Sequence, residues 1–461
     1  MRWYKAIRKI LANEPETWLA YFHGQQLQSM PHMIRNKPVL RGIFWRLFYL
    51  LLWMFKETRF RSKPSVKRGQ TCKYLVFADT VNQANSLNGV VDALREQGEL
   101  VVAICKSKFL GHPERKERYV PYHLGPLDDI KGLYLLITRW RDLTESLSEQ
   151  SPIAARWYFD KFCASYFYLV YFYRLFNRLR PEFVITANDH NVPNRCMLAV
   201  AHYMGIKTVY LQHASVGRLF PALRMNYAFL DGQSALDTYL VCEGNQPAYP
   251  TSVPAPSVFL TGQKKNLRIQ RPVDKPYIGV AVNTLDRADL VVCFVNAVIE
   301  SGREVCLRWH PAQAPADINR YKRTYVGNSK VILSDPKVDS ISQFMERLHC
   351  LVAGNTSILL EAAVARVCPV YFEYQPPDTP DVYGFVKHGL ALHARSVNEF
   401  LSWLDLDKLG LNKTAVQYYS ASFGTEWEGR EGKLVAEHLL KLDRKVCPKS
   451  LWGFRDVKAF R

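Results

Sequence analysis

From Tyr74 onward, short apolar runs alternate with stretches whose apolar residues recur at helical spacing. Tyr74–Ala78 predicts a strand, Asn82–Gln97 a helix and Leu100–Cys105 a second strand. A long aromatic-rich helical stretch covers Ile153–Leu179. Strand Phe183–Ala187, helix Asn194–Met204 and strands Thr208–Gln212, Tyr227–Leu230 and Val258–Thr261 follow. The polar stretch Lys264–Lys275, with Pro272 and Pro276, reads as a linker. Beyond it the alternation resumes. Strand Tyr277–Val282, helix Asp286–Glu300 and strand Val305–Trp309 come first. Strand Lys330–Leu333, helix Ile341–Arg347, strand Cys350–Ala353, helix Ser357–Ala365 and strand Pro369–Phe372 follow. The segment from Trp427 reads as helical to about Leu442, then basic and irregular.

Alternation of this kind predicts parallel sheets covered by helices. The expected fold class is α/β, with two Rossmann-like domains facing a cleft and a basic helical N-terminal extension. The expected boundaries are 1–68 for the extension, 69–265 and 273–425 for the two domains, and 426–461 for a C-terminal helix and basic tail. A chain of 461 residues is long enough for two cores.

The formal charge of +19 resembles a nucleic-acid signal until it is located. Residues 1–68 carry 14 Lys/Arg against 3 acidic residues, a net of +11. Residues 441–461 contribute +5 more. The middle of the chain is close to neutral, whereas a nucleic-acid enzyme usually carries its basic stripe on the folded body, so the charge suits an anionic surface and argues against a nucleic-acid partner. Ile43–Phe55 is a 13-residue run, IFWRLFYLLLWMF, with Arg35, Lys37 and Arg41 before it and Lys56, Arg59, Arg61 and Lys63 after it. Spanning a bilayer takes about 20 apolar residues. The run therefore predicts a helix lying in an anionic membrane surface, with a helix buried against the protein body as the alternative. The N-terminus shows no secretory signal. The ten cysteines form no CxxC pair, and most, such as Cys105, Cys293 and Cys306, lie in apolar segments expected to bury a reduced thiol.

Candidate chemistry collects at strand ends. His310-Pro311 ends one strand, and Gly354-Asn355-Thr356-Ser357 joins a later strand to a helix, expected at neighbouring strand ends. His310 can donate to a phosphate oxygen, Pro311 fixes the turn, and the hydroxyls and N–H groups of Thr356 and Ser357 favour an anion. Glu361, one helical turn after Ser357, can accept from ribose hydroxyls, or it is simply solvated. In the first half, Asp189 and His190 follow one strand, His213 the next, and Asp231-Gly232 a third. Asp189, His190, His213 and Asp231 are candidate bases for deprotonating an acceptor hydroxyl.

The Asp405-Leu406-Asp407 triplet reads as a solvated loop, and no His/Cys cluster has zinc spacing. A GxxxxGK[ST] loop and a GxGxxG after the first strand are both missing, which argues against a dedicated NTPase or an NAD enzyme.

Arg308-Trp309-His310-Pro311 followed by Gly354-Asn355-Thr356-Ser357 resembles the His-Pro and Ser/Thr signatures of bacterial sialyl- and polysialyltransferases, which in that family bind the CMP part of the donor. The same pair is similar to the CDP-glycerol glycerophosphotransferases of teichoic-acid and capsule synthesis. Thr208 to Ala214 resembles their strand ending in Trp-His-Gly, and Tyr371 to Tyr383 their later Asp…Tyr segment. The chain departs from these patterns in having Gln-His-Ala, Asn-Thr-Ser and a half-present acidic motif, Leu230-Asp231-Gly232.

The resemblance, over about residues 183–385, implies a GT-B-type, metal-independent transferase without a bound cofactor. Its donor would be a nucleotide sugar or CDP-polyol, CMP- or CDP-linked rather than UDP-linked, and its acceptor a saccharide, lipid-linked or free. The implied location is cytoplasmic, against the inner face of the cell membrane through residues 1–68. Two other readings stay open: a UDP-sugar 2-epimerase of the same fold, and a non-catalytic binding protein that keeps it.

Overall fold

The computed structural model describes residues 2–26, 42–59, 69–106, 113–150, 158–245, 255–264, 269, 277–374, 380–406 and 408–457. The chain divides into two compact units. Unit 1 comprises 1–231, 235–264 and 430–461, and unit 2 comprises 232–234 and 265–429.

The strands of unit 1 are β1 Tyr74–Ala78, β2 Val101–Lys106, β3 Val120–Tyr122, β4 Phe183–Thr186, β5 Lys207–Leu211, β6 Tyr227–Leu230 and β7 Ser257–Leu260. They form a parallel sheet in the order β7-β6-β5-β4-β1-β2-β3. The expected irregular tail instead adds a short edge strand, Phe454–Arg455, antiparallel to β7. Runs that are apolar at every position suit a sheet buried on both faces. Leu75 and Phe77 point into one core and Tyr74, Val76 and Ala78 into the other, as the two-residue period of a strand requires.

The first core of unit 1 holds α1 Arg2–Asn13, α2 Ile43–Arg59, α4 Pro126–Thr138, α5 Phe159–Leu179 and α6 Val192–Tyr203, while α3 Val81–Glu96 and the C-terminal helix Glu431–Asp443 supply the second core on the other face of the sheet. The aromatic helix α5 runs Phe159–Leu179, and residues 153–157 of the stretch expected to be helical lie outside the described residues. Ile7, Ile10, Leu11, Leu19 and Ala20 are buried in this core, so α1 and the turn after it pack against the body of unit 1.

Unit 2 contains β8 Tyr277–Ala281, β9 Glu304–Arg308, β10 Val331–Ser334, β11 Leu348–Ala353, β12 Cys368–Tyr371 and β13 Leu392–His393. They make a second parallel sheet in the order β10-β9-β8-β11-β12-β13. Helix α7 Ala288–Glu300 covers one face, where Val291, Val295 and Val298 meet Val280 and Leu307. Helix α8 Ile358–Val364 covers the other, with Leu359 and Ala362 against Leu351 and Ala353. Cys105 and Cys306 are buried as expected, whereas Cys293 is exposed: it lies on the outward side of α7. Most of the expected linker, from 265 to 276, lies outside the described residues, Ile269 excepted.

Candidate functional site

In a doubly wound sheet, the carboxyl ends of the strands carry the turns that bind ligands. In unit 2, His310 and the 354–357 turn both sit at such ends, but not at adjacent ones. β8 lies between β9 and β11, which corrects the expectation of neighbouring strand ends. Two strand spacings separate the motifs, about 10 Å at about 4.8 Å each. The intervening strand ends in Asn283-Thr284-Leu285-Asp286, a turn whose significance is not visible in the one-dimensional pattern. Asp286 Oδ2 accepts from Asn283 N at 2.8 Å, and Asn283 Oδ1 from Leu285 N at 2.7 Å. Desolvation raises the Asp286 carboxyl from 3.8 to about 6. A Cβ on Gly354 would lie 3.4 Å from Asp286 Oδ1 and 3.5 Å from the Phe372 carbonyl. The bare glycine thus lets the β8 and β11 turns approach closely.

Beneath the His310 turn, Arg308 is buried. It donates to Ser334 Oγ at 2.8 Å and to the Asp339 carbonyl at 3.1 Å, and it stacks over Phe344. Burial lowers its pKa, while Asp339 and Glu361 act in the opposite direction. Trp309 is buried and His310 and Pro311 are exposed. The backbone N–H of Ala312 donates to His310 Nδ1 at 3.1 Å. Nδ1 is therefore the acceptor nitrogen, and in the neutral ring the proton sits on Nε2. Partial desolvation lowers the His310 pKa, which favours that neutral form.

On the other side of β8, Gly354 is buried, and Asn355, Thr356 and Ser357 are half-buried. Ser357 caps α8 by position, in right-handed helical geometry, with no side-chain cap bond. The N–H groups of Thr356, Ser357 and Ile358 make no hydrogen bond among the described residues. Asn355 Oδ1 accepts from Val382 N at 3.0 Å, tying the segment after β12 to this turn. Tyr371 OH accepts from Asp381 N at 3.1 Å. Glu361 is 8 % exposed and within electrostatic reach of Arg308, so it is not a solvated side chain.

The unit 1 candidates separate by environment. Asp189, at the end of β4, is buried. Its Oδ1 is 3.0 Å from His190 Nδ1, its Oδ2 accepts from Tyr239 OH at 2.9 Å, and its carbonyl accepts from Arg195 Nη1 at 2.6 Å. His190 Nε2 is 3.3 Å from Asn188 Nδ2, and the ring packs between Phe22 and Phe220. Asp231, after β6, is buried against Lys264, with Oδ1 and Nζ 3.1 Å apart. Desolvation lowers the Lys264 pKa, and Asp231 opposes that shift. His213, after β5, is half-exposed, as is His190, whereas Asp189 and Asp231 are buried. Gln212, the neighbour of His213, holds the turn: Oε1 accepts from Asp231 N at 2.8 Å and Nε2 donates to the Ala214 carbonyl at 3.0 Å. The Lys264 partner, 33 residues from Asp231, left no local signal in the sequence.

No family model and no curated protein sequence matches the chain. Solved structures do. A protein of Listeria monocytogenes assigned as a UDP-N-acetylglucosamine 2-epimerase aligns with a TM-score of 0.53 and 12% identity, over 84% of this chain and 100% of its own. The S. aureus MnaA–UDP complex aligns at 0.51 and 12% identity, over 82% and 98%. The calicheamicin glycosyltransferase CalG4 aligns at 0.46 and 11%, over 82% and 100%. With the two parallel sheets, the first two likenesses establish the fold: two Rossmann-like α/β domains of the GT-B type.

Proposed function

We propose that the chain is a GT-B-type transferase that moves a sugar or polyol phosphate from a CMP- or CDP-linked donor onto a hydroxyl of a cell-surface saccharide. The observation that carries this reading is the pair of donor groups at the carboxyl edge of the second sheet: the exposed Nε2–H of His310 and the uncommitted N–H groups of Thr356, Ser357 and Ile358. Both sets present donors and neither presents a carboxylate, as a phosphate requires. The two sets are about 10 Å apart by strand spacing, so they hold different parts of one nucleotide donor rather than one oxygen. Pro311 and Gly354 shape the two turns, and Asn355 anchors the segment through Val382. Glu361, beside Arg308, takes the ribose side.

His213 is the base we favour, because it is half-exposed where Asp189 and Asp231 are buried. His213 takes the proton of the acceptor hydroxyl as that oxygen attacks the transferred group. The bond to the nucleotide phosphate breaks, and the phosphate leaves with the electron pair. Fixed donors at 310 and 356–358 stabilise the charge that develops there. Residues 1–68 hold the enzyme at the cytoplasmic face of the membrane, beside a lipid-linked acceptor.

The second reading is a UDP-sugar 2-epimerase, since MnaA has been solved with UDP on this fold. One incubation separates the two. With a UDP-sugar and no acceptor, an epimerase yields a new sugar nucleotide. The transferase yields none, and it consumes a CMP- or CDP-linked donor only when a saccharide acceptor is added. A new UDP-sugar would overturn the transferase reading.

A further inference from the structure

We propose that unit 1 docks on an anionic lipid bilayer through a composite face built from α2, α4 and the basic side of α1. This deepens the membrane association proposed above, extending it from one sequence segment to a surface that includes a helix outside residues 1–68. On α4, Leu127, Ile130, Tyr134 and Ile137 are all exposed, Ile137 to 74 %. Their spacing of three, four and three places them on one side of the helix. The opposite side is anchored on α5: a Cβ on Gly132 would lie 2.5 Å from the Phe167 ring. Helix α2 is built the same way. Leu50 is buried and Trp53 packs on Phe167 and Tyr168, while Phe44, Trp45, Phe48, Leu51 and Phe55 are exposed, Phe44 to 84 %. Both helices therefore flank the same α5 residue, Phe167, and each turns a second apolar side to solvent.

Exposed apolar surface of this extent marks an interface, and the surrounding charge says of what kind. Trp3 and Tyr4 of α1 pack on Tyr134, with ring centroids 6.2 and 5.5 Å apart. Helix α1 thus borders the α4 stripe, and its Arg2, Lys5, Arg8 and Lys9 are exposed. Lys131 of α4 lies over the Trp3 ring at 5.2 Å. An apolar face with a basic border complements anionic headgroups above acyl chains. A second copy of the chain fits less well, because an isologous pair would bring two such cationic borders together. No helix among the described residues is long and apolar enough to cross a membrane, so α2 and α4 lie along the surface.

The test is co-sedimentation of the full chain with phosphatidylcholine vesicles, with and without phosphatidylglycerol. Pelleting is expected only with the anionic lipid and is expected to weaken as salt rises. Ile130→Asp/Ile137→Asp on α4 and Phe44→Asp/Phe48→Asp on α2 are each expected to reduce pelleting by about ten-fold or more. All four positions are exposed, so the unfolding temperature of each variant should match that of the parent. Parent-like pelleting of the α4 variant would overturn the composite face. So would a dimer, seen by light scattering, that the α4 variant dissolves. Nucleotide binding is measured separately on the same samples, so failure of docking and failure of the transferase reading remain distinguishable.

Discussion

The Ala312 N–H points at His310 Nδ1 from 3.1 Å, and that bond leaves the imidazole its Nε2–H as an outward donor. Partial desolvation lowers the His310 pKa, so the neutral form prevails at pH 7. Donor affinity should then stay flat between about pH 7 and 8.5, where an imidazolium would lose about ten-fold per unit above its pKa. Titration calorimetry across that range checks this. His310→Gln, which keeps an amide donor, should retain more affinity than His310→Ala. The alanine variant should bind about 10- to 100-fold more weakly, the value of a hydrogen bond to a charged group.

Asp286 makes stability depend on pH. Its carboxyl titrates near 6 in the fold, against an ordinary 3.8, because burial disfavours its charge. A raised pKa contributes stability in full below pH 3.8 and loses it as pH rises through about 6. Discounted for partial exposure, the loss is on the order of 1–2 kcal/mol. Asp286→Asn should flatten the fall in unfolding temperature between pH 4 and 7. An unchanged slope would place the titration elsewhere.

Asp231 and Lys264 should behave as a structural pair. Both side chains are almost fully buried, 3.1 Å apart. Removing one charge strands the other, at about 3–5 kcal/mol. Lys264→Met should therefore unfold at markedly lower denaturant than the parent, and Asp231→Asn/Lys264→Met should recover much of the loss. A catalytic Asp231 would show the reverse pattern, with normal unfolding and lost turnover.

His213→Ala, at a half-exposed position, should leave stability within about 0.5 kcal/mol of the parent. Turnover should fall about 10²- to 10⁴-fold, the range for a lost general base. Asp189→Asn should instead act on stability, because it disturbs the bonds to His190 and Tyr239. Steady-state rates and denaturant curves on both variants separate the two roles.

Uniformly apolar runs such as Tyr74–Ala78 and Cys350–Ala353 made most strands legible, since a sheet buried on both faces leaves no room for a polar position. Strand order was not legible: the insertion of β8 between β9 and β11 is a long-range pairing that no local pattern encodes. Strand β3 is three residues long, too short for a periodic signal. Helix α4 was not read from the sequence at all: apolar residues on both of its sides blur the helical period. The exposed Cys293 follows from the same ambiguity in α7. For the site, the order of His310 and Thr356–Ser357 could be read directly. The tautomer set by Ala312, the Asp286 turn and the pairing of Asp231 with Lys264 depend on contacts that only the folded chain makes.

The central claim is that His310 and the 356–358 amides hold one nucleotide donor. The most direct measurement is titration calorimetry of CMP, CDP, UDP and GDP against the parent and against Thr356→Pro, which removes one of those N–H donors, beside His310→Ala. Binding of a cytidine nucleotide by the parent, weakened about ten-fold or more in both variants while each stays folded, is the predicted result. A nucleotide bound equally well by all three proteins would contradict it.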